Sequence, residues 1–355
     1  MLKSAPFLLT LVFLLAPITA WSQPQNITTP PPSPAATVSQ GIGMSEVTIV
    51  YHRPGVKDRE VWGALVPYND GKPNPWRAGA NENTTIEFST DVLINGKKLP
   101  SGTYGLHMIP SPESWTIIFN KNHTSWGSFF YNPDEDALRV QVTPVGAPHE
   151  EWLIYGFEDL TPLGATAYLR WEKLKVPFRI ELDGGHASIV QSLRDQLRGL
   201  PGFFSQGYIA AAQYCANNNV ELDQGLKWAD QGVSNGGGFN ALTVKAQILE
   251  KTGKASEATE IMDQALIQAN ENELNNYGYQ LLNQGKTTEA VEIFRENVKR
   301  HPDSWNVYDS LGEGLDLTGD TRSAISYYQK ALEKNPPEPQ IQRINGVLTT
   351  LQKKL

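Results

Sequence analysis

Gly285-Lys286-Thr287-Thr288-Glu289-Ala290 and Gly319-Asp320-Thr321-Arg322-Ser323-Ala324 repeat one pattern, Gly-x-x-x-x-Ala, at a step of 34 residues. The same step relates Gly278 to Gly312, Leu281 to Leu315, Phe294 to Tyr328 and Pro302 to Pro336. A glycine can end one helix in a left-handed turn, and an alanine lets the next helix approach closely. A period of this length reads as two helices per unit, stacked against the next unit. A third copy, over Ala246–Ala269, keeps Ala246, Leu249, Ala258, Met262 and Ala265 in register but is two residues short. Phe203–Val233 reads as a degenerate first hairpin and Gln340–Leu355 as a closing helix. Helical periodicity begins near Ala187, so residues 187–355 form an all-α repeat domain.

Toward the N-terminus the pattern changes to strands. Val47–Tyr51, Thr84–Phe88, Asp91–Ile94, Trp115–Asn120, Leu138–Val142, Trp152–Tyr155, Ala165–Trp171 and Val176–Ile180 are β-branched, aromatic or alternating, and Pro100–Pro110 reads as a turn and then a strand. Asn95-Gly96 is a strong hairpin signal. Short strands with frequent turns predict an antiparallel β-sandwich or jelly-roll-like domain over residues 38–183. The chain is thus expected to be an α+β multidomain protein.

The first residues read as a leader. Lys3 precedes an apolar run from Phe7 to Ile18, and Ala20-Trp21-Ser22 offers a small-x-small cleavage pattern, giving a signal peptide over residues 1–22. That run is shorter than the ~20 residues a membrane span needs. Residues 23–37, with five prolines among Thr, Ser and Ala, read as an extended linker. The expectation is an exported chain, periplasmic or secreted, with no membrane span.

The formal net charge of -8, with no long basic tract, argues against a nucleic-acid partner. A single cysteine, Cys215, excludes an intrachain disulfide framework. It lies in an Ala-rich helical stretch without a neighbouring histidine, so it reads as a small buried hydrophobe rather than a nucleophile.

The 34-residue unit resembles the tetratricopeptide repeat. The order of motifs before it resembles the DUF2911 family, a bacterial domain of unknown function. Those motifs are Tyr51-His52-Arg53-Pro54, Lys57-Asp58-Arg59, Trp76-Arg77-Ala78-Gly79-Ala80-Asn81-Glu82-Asn83-Thr84, Leu99-Pro100-Ser101-Gly102-Thr103-Tyr104, Trp115–Asn120, Trp126-Gly127 and Leu138-Arg139-Val140. That resemblance covers Val38–Asp183 and implies export and trailing tetratricopeptide-like helices. It implies no activity.

Trp76–Thr84 is the densest polar and aromatic segment, and it has two readings. As a ligand site, Trp76 would stack, Arg77 would fork onto a carboxylate or sugar hydroxyls, and Asn81 and Glu82 would orient the ligand, with Arg53 nearby. As a folding corner, Arg77 would pair with Glu82 while Asn81 caps a turn. His52, Arg53, Lys57 and Arg59 could meet an anion or form a solvated loop. His52, His107 and His149 with Glu82, Glu150 or Glu151 could build a zinc or iron site, although no ligand spacing supports one, so the expectation is no metal and no cofactor. A Glu82–Glu150 pair for glycoside hydrolysis is conceivable, and no Gly-x-Ser-x-Gly elbow is present. Trp62, Trp76, Trp115, Trp126, Trp152 and Trp171 read mainly as core, with exposed members able to stack on sugar. Sequons stand at Asn26, Asn83 and Asn122.

The expected function is non-enzymatic: a sandwich that binds a small polar ligand or glycan, and a helical groove that binds a protein or peptide. A hydrolase using Glu82, with or without a histidine-bound metal, and a purely structural envelope scaffold are the alternatives.

Overall fold

The computed structural model describes residues 29–355. The leader and the opening residues of the linker lie outside that range.

Among the described residues ten strands form two antiparallel sheets packed on one core. They are β1 (Ala35–Ile42), β2 (Ser45–His52), β3 (Thr85–Phe88), β4 (Val92–Ile94), β5 (Lys97–Leu99), β6 (Gly102–Ile109), β7 (Trp115–Asn120), β8 (Asp136–Val142), β9 (Val145–Thr161) and β10 (Gly164–Leu182). One sheet has the order β1-β2-β3-β6-β7-β8, and the other β5-β4-β10-β9. Phe119 of the first sheet meets Phe178 of the second edge-on, with ring centroids 6.0 Å apart.

The sequence splits β10 into two strands, and burial shows why. Inward residues are odd-numbered through Ala165, Ala167, Leu169 and Trp171, then even-numbered through Val176, Phe178, Ile180 and Leu182. A strand keeps one face only at a period of two, so that change of parity demands an irregularity. Register shifts against β9 fall on both sides of Glu172, which adopts φ +53°. At the other end, β1 starts at Ala35, three residues inside the segment read as linker, because β2 pairs with it from Ala35↔His52 onward.

The second half is α1 (Gly185–Gln196), α2 (Ser205–Asn218), α3 (Leu222–Ser234), α4 (Gly238–Lys251), α5 (Ala255–Gln268), α6 (Glu271–Asn283), α7 (Thr287–Arg300), α8 (Trp305–Leu317), α9 (Thr321–Glu333) and α10 (Glu338–Gln352). Helices α2 to α9 form hairpins in a tetratricopeptide-like array, and α10 closes it. Each repeat glycine works as the pattern requires. Gly253, Gly285 and Gly319 take φ of +79°, +75° and +84°. The next amide then reaches back to the helix: Lys254 to Leu249 O, Lys286 to Leu281 O, and Asp320 to Leu315 O, at 2.9, 2.9 and 3.0 Å. Ala258, Ala290 and Ala324 are buried where the second helix crosses the first.

Gly278 and Gly312 occupy equivalent positions with unequal room. A Cβ on Gly278 would lie 2.3 Å from Phe294, which is fully buried, whereas one on Gly312 would lie 3.1 Å from Tyr328. Overpacking costs about 1–3 kcal/mol, and alanine regains about 0.5–1 kcal/mol of helix propensity over glycine. Gly278→Ala should therefore lower stability by about 2 kcal/mol and Gly312→Ala by less than about 1. Urea titrations of both variants check this, and equal effects would refute the steric account.

Candidate functional site

The segment after Pro73 is pinned to β6 by Trp76, whose amide and carbonyl exchange 2.8 Å bonds with Met108. The chain then turns sharply. Ala78 is fully buried at φ +52°, and Asn81 takes φ +59°. Such values are costly for alanine and persist only when neighbours fix them. Here Tyr155 Oη and Thr84 Oγ1 donate to Ala78 O at 2.8 and 3.2 Å, and Arg77 Nη1 donates to Asn81 O at 2.7 Å.

This geometry scatters the five residues marked in the sequence. Arg53 donates through Nε to Leu153 O of β9 at 3.0 Å, and Asn81 Nδ2 reaches Ser33 O at 3.4 Å. Glu82 is exposed and pairs with His52 Nε2 at 3.2 Å. The expected Arg77–Glu82 ion pair does not form, because the left-handed turn brings the Asn81 carbonyl to Arg77 and places Glu82 outside it. The ring of Trp76 is not an open stacking face. It lies 6.1 Å from Trp171 at 17° and meets Trp62 and Trp115 edge-on at 5.9 and 6.3 Å.

The basic loop after β2 is likewise absorbed by backbone. Arg59 Nη2 and Nε donate to Gly55 O and Val56 O at 2.6 and 3.0 Å, and Lys57 Nζ lies 5.7 Å over Trp152. The histidines face different partners: His52 has Glu82, His149 has Glu151 at 3.6 Å, and buried His107 has Ser128. Among the described residues no group of three or more His, Cys, Asp or Glu is placed to hold a metal. Glu150 pairs with Arg170, and Glu82 with His52. Cys215 is fully buried, and burial pushes its thiol up to about 11, as suits a packed residue. Asn83 is buried against Asn122 O, which leaves that sequon inaccessible in the fold.

Arg77 and Trp76 do line a cleft, of about 200 Å³, between Pro73–Arg77 and Ser128–Phe129. Nothing local in the chain marks its far wall. Ser128 Oγ lies 2.8 Å from Nδ1 of His107. Burial lowers the His107 pKa to about 4 against the opposing pull of Asp136, so the imidazole is neutral at physiological pH. Behind them Tyr131 Oη donates to Asp136 at 2.8 Å, Arg139 Nε reaches the same carboxylate at 2.6 Å, and Asn120 Nδ2 does so at 2.8 Å. That network anchors a loop whose Trp126, Phe129 and Phe130 are exposed.

A larger concavity crosses α2, α4 and α6. Two adjoining pockets of about 440 and 620 Å³ share Gln213, Thr243, Tyr277 and Gln280. Carboxamides recur along the lining, among them Gln206, Gln213, Asn240, Gln247, Asn276 and Gln280. Gln213, Gln247 and Gln280 come from successive hairpins, and Gln213 Nε2 donates to Gln247 Oε1 at 2.8 Å.

Comparison with known proteins follows the same division. Residues 33–180 match the family described as Protein of unknown function (DUF2911), and residues 276–304 match a tetratricopeptide repeat. No curated protein matches the chain. Solved structures match part of the chain. MamA from Desulfovibrio magneticus RS-1 is 17% identical over 42% of this chain and 84% of its own, with a TM-score of 0.28. PilF of Pseudomonas aeruginosa is 21% identical over 42% of this chain and 68% of its own, also at 0.28. YrrB, described as a TPR protein with an unusual peptide-binding site, is 15% identical over 48% of this chain and 84% of its own, at 0.27. At these identities and TM-scores the likeness carries no argument about function. The family models thus match one segment in each half of the chain, DUF2911 at residues 33–180 and a tetratricopeptide repeat at residues 276–304.

Proposed function

We propose that this chain is an exported, non-enzymatic binding protein whose helical array holds an extended segment of a partner protein. The observation that carries the reading is the carboxamide lining of the groove across α2, α4 and α6. A carboxamide presents a donor and an acceptor side by side, the complement of a backbone amide, so an array of them suits main chain more than any one side chain. Charged groups stand among them only as Glu250, Lys251, Glu273 and Lys286, which favours a partner segment of low net charge. Tyr277 is shared by both pockets and supplies an apolar surface between the amides. Export rests on the leader pattern at residues 1–22.

Selection of a random peptide library on the intact mature chain tests the groove. Enriched peptides should bind with an affinity that Gln213→Ala, Gln247→Ala and Gln280→Ala together weaken more than tenfold, since each lost hydrogen bond is worth about 1 kcal/mol. Enriched peptides indifferent to that triple variant, or no enrichment, would sink the reading. Sequencing the N-terminus of the protein made in a secreting host decides the export half: Gln23 supports it and Met1 opposes it.

A further inference from the structure

We propose that the cleft between Pro73–Arg77 and Ser128–Phe129 binds a small carboxylate with an apolar body. The argument begins with Arg77. Its guanidinium is half-buried, and burial lowers its pKa. Of the five N–H donors such a group carries, the structure engages one, at Asn81 O. Among the described residues no carboxylate pairs with it; Glu82, five positions on, is held by His52. A cation drawn partly from water without an acidic partner favours an anion that reaches it.

The surroundings narrow the anion. Phe129 lies under the guanidinium, 5.4 Å from ring centroid to Cζ, and holds its plane. Gly127 packs against it as well, where a Cβ would come within 2.7 Å of Arg77 Nη1, so ring and backbone both restrict the fork. A fixed planar fork matches the two oxygens of a carboxylate. Ser128 supplies one hydroxyl, and His107 behind it is neutral, so no second positive charge faces the cleft. One cation, one hydroxyl and the carboxamide of Asn74 suit a monoanion and leave a phosphate dianion short of positive charge. Pro73, Pro75, Trp76 and Phe129 form apolar walls for the rest of the ligand. At about 200 Å³ the space is smaller than the ~300–1,000 Å³ of pockets for drug-sized molecules. The site is independent of the helical groove, and its success or failure leaves the peptide reading untouched.

Calorimetry on the intact mature chain tests it, with benzoate, isovalerate, benzamide and inorganic phosphate as probes. At least one of the two carboxylates should bind, benzamide should bind at least tenfold more weakly than benzoate or not at all, and phosphate should not bind. Arg77→Lys retains the charge but loses the fork, and should weaken the carboxylate at least tenfold. Should that variant fail to fold, Phe129→Ala decides, because Phe129 is an exposed wall residue whose loss spares the core. It should weaken binding several-fold. The proposal is overturned if neither carboxylate binds, if benzamide equals benzoate, if phosphate binds better than both carboxylates, or if the folded variants bind as wild type does.

Discussion

Arg343→Met is expected to lower the stability of the helical domain by about 3 kcal/mol at neutral pH, and by much less in acid. Asp309 sits on α8 with its side chain only 8% exposed, and its Oδ2 accepts from Arg343 Nη2 of α10 at 2.5 Å. Its other oxygen, Oδ1, is buried without a partner. Removing one partner of a buried pair leaves an uncompensated charge, which costs about 3–5 kcal/mol. The lower end applies because Arg343 itself is 42% exposed, so water already screens part of the attraction.

The pH dependence follows from the carboxyl. Burial raises the Asp309 pKa above its ordinary value, while the bond and the charge of Arg343 pull it down. A carboxyl with a raised folded pKa favours the native state while protonated. That contribution is complete below the unfolded pKa of about 3.9 and is lost as pH rises through the folded value. Without Arg343 the folded pKa climbs further, so the loss extends over a wider range above pH 4. The deficit of Arg343→Met against wild type should therefore be small near pH 3.5 and reach its plateau by neutrality. Asp309→Asn in the Arg343→Met background removes the stranded charge and should recover most of the stability. Urea titrations of the four proteins at both pH values measure this as a double-mutant cycle. A deficit equal at both pH values would mean that α10 is held by packing through Ile344, Leu348 and Leu351, with the ion pair incidental.

What the residues disclosed in advance depended on how local the cause was. The Gly-x-x-x-x-Ala unit was readable because every partner of its turn lies within six residues: Lys286 bonds Leu281, and Asp320 bonds Leu315. Alternation marked the strands for the same reason, and the DUF2911 match over residues 33–180 agrees with the motifs that suggested it. Legibility failed where the cause is remote. Nothing near Ala35 announces a strand; its pairing with β2 makes it one. The corner at Ala78 is held by Tyr155, 77 residues away, and Ser128 meets His107 from 21 residues away. Arg77 and Glu82 stand five residues apart, and the turn between them separates their side chains. Glu82 is close in sequence and turned outward, whereas Ser128 and Phe129 are distant and form the facing wall.

Trp171→Ala is expected to destabilise the sandwich by about 3–5 kcal/mol, and Trp171→Phe by less than about 1.5. Trp171 is buried in the core, stacked on Trp76 and edge-on to Trp62 at 5.6 Å. Alanine would leave a void between two sheets whose other fillers, Trp115, Phe119 and Phe178 among them, are themselves immobilised by packing. Phenylalanine behaves differently for a polar reason. The Nε1 of Trp171 is buried without a hydrogen-bond partner, as are those of Trp62 and Trp115, so these indoles hold the core by shape and area alone. Replacing an unpaired N–H with an apolar edge removes a desolvation penalty of about 1–3 kcal/mol and offsets much of the lost volume. The effect should also reach the cleft. Trp76 lines the carboxylate site and stacks on Trp171, so the alanine variant should lose near-ultraviolet dichroism and bind benzoate more weakly while still folded, and the phenylalanine variant should retain both. If Trp171→Phe proves as damaging as Trp171→Ala, the indole nitrogen is engaged in solution after all, and the cluster is a polar network rather than an apolar one.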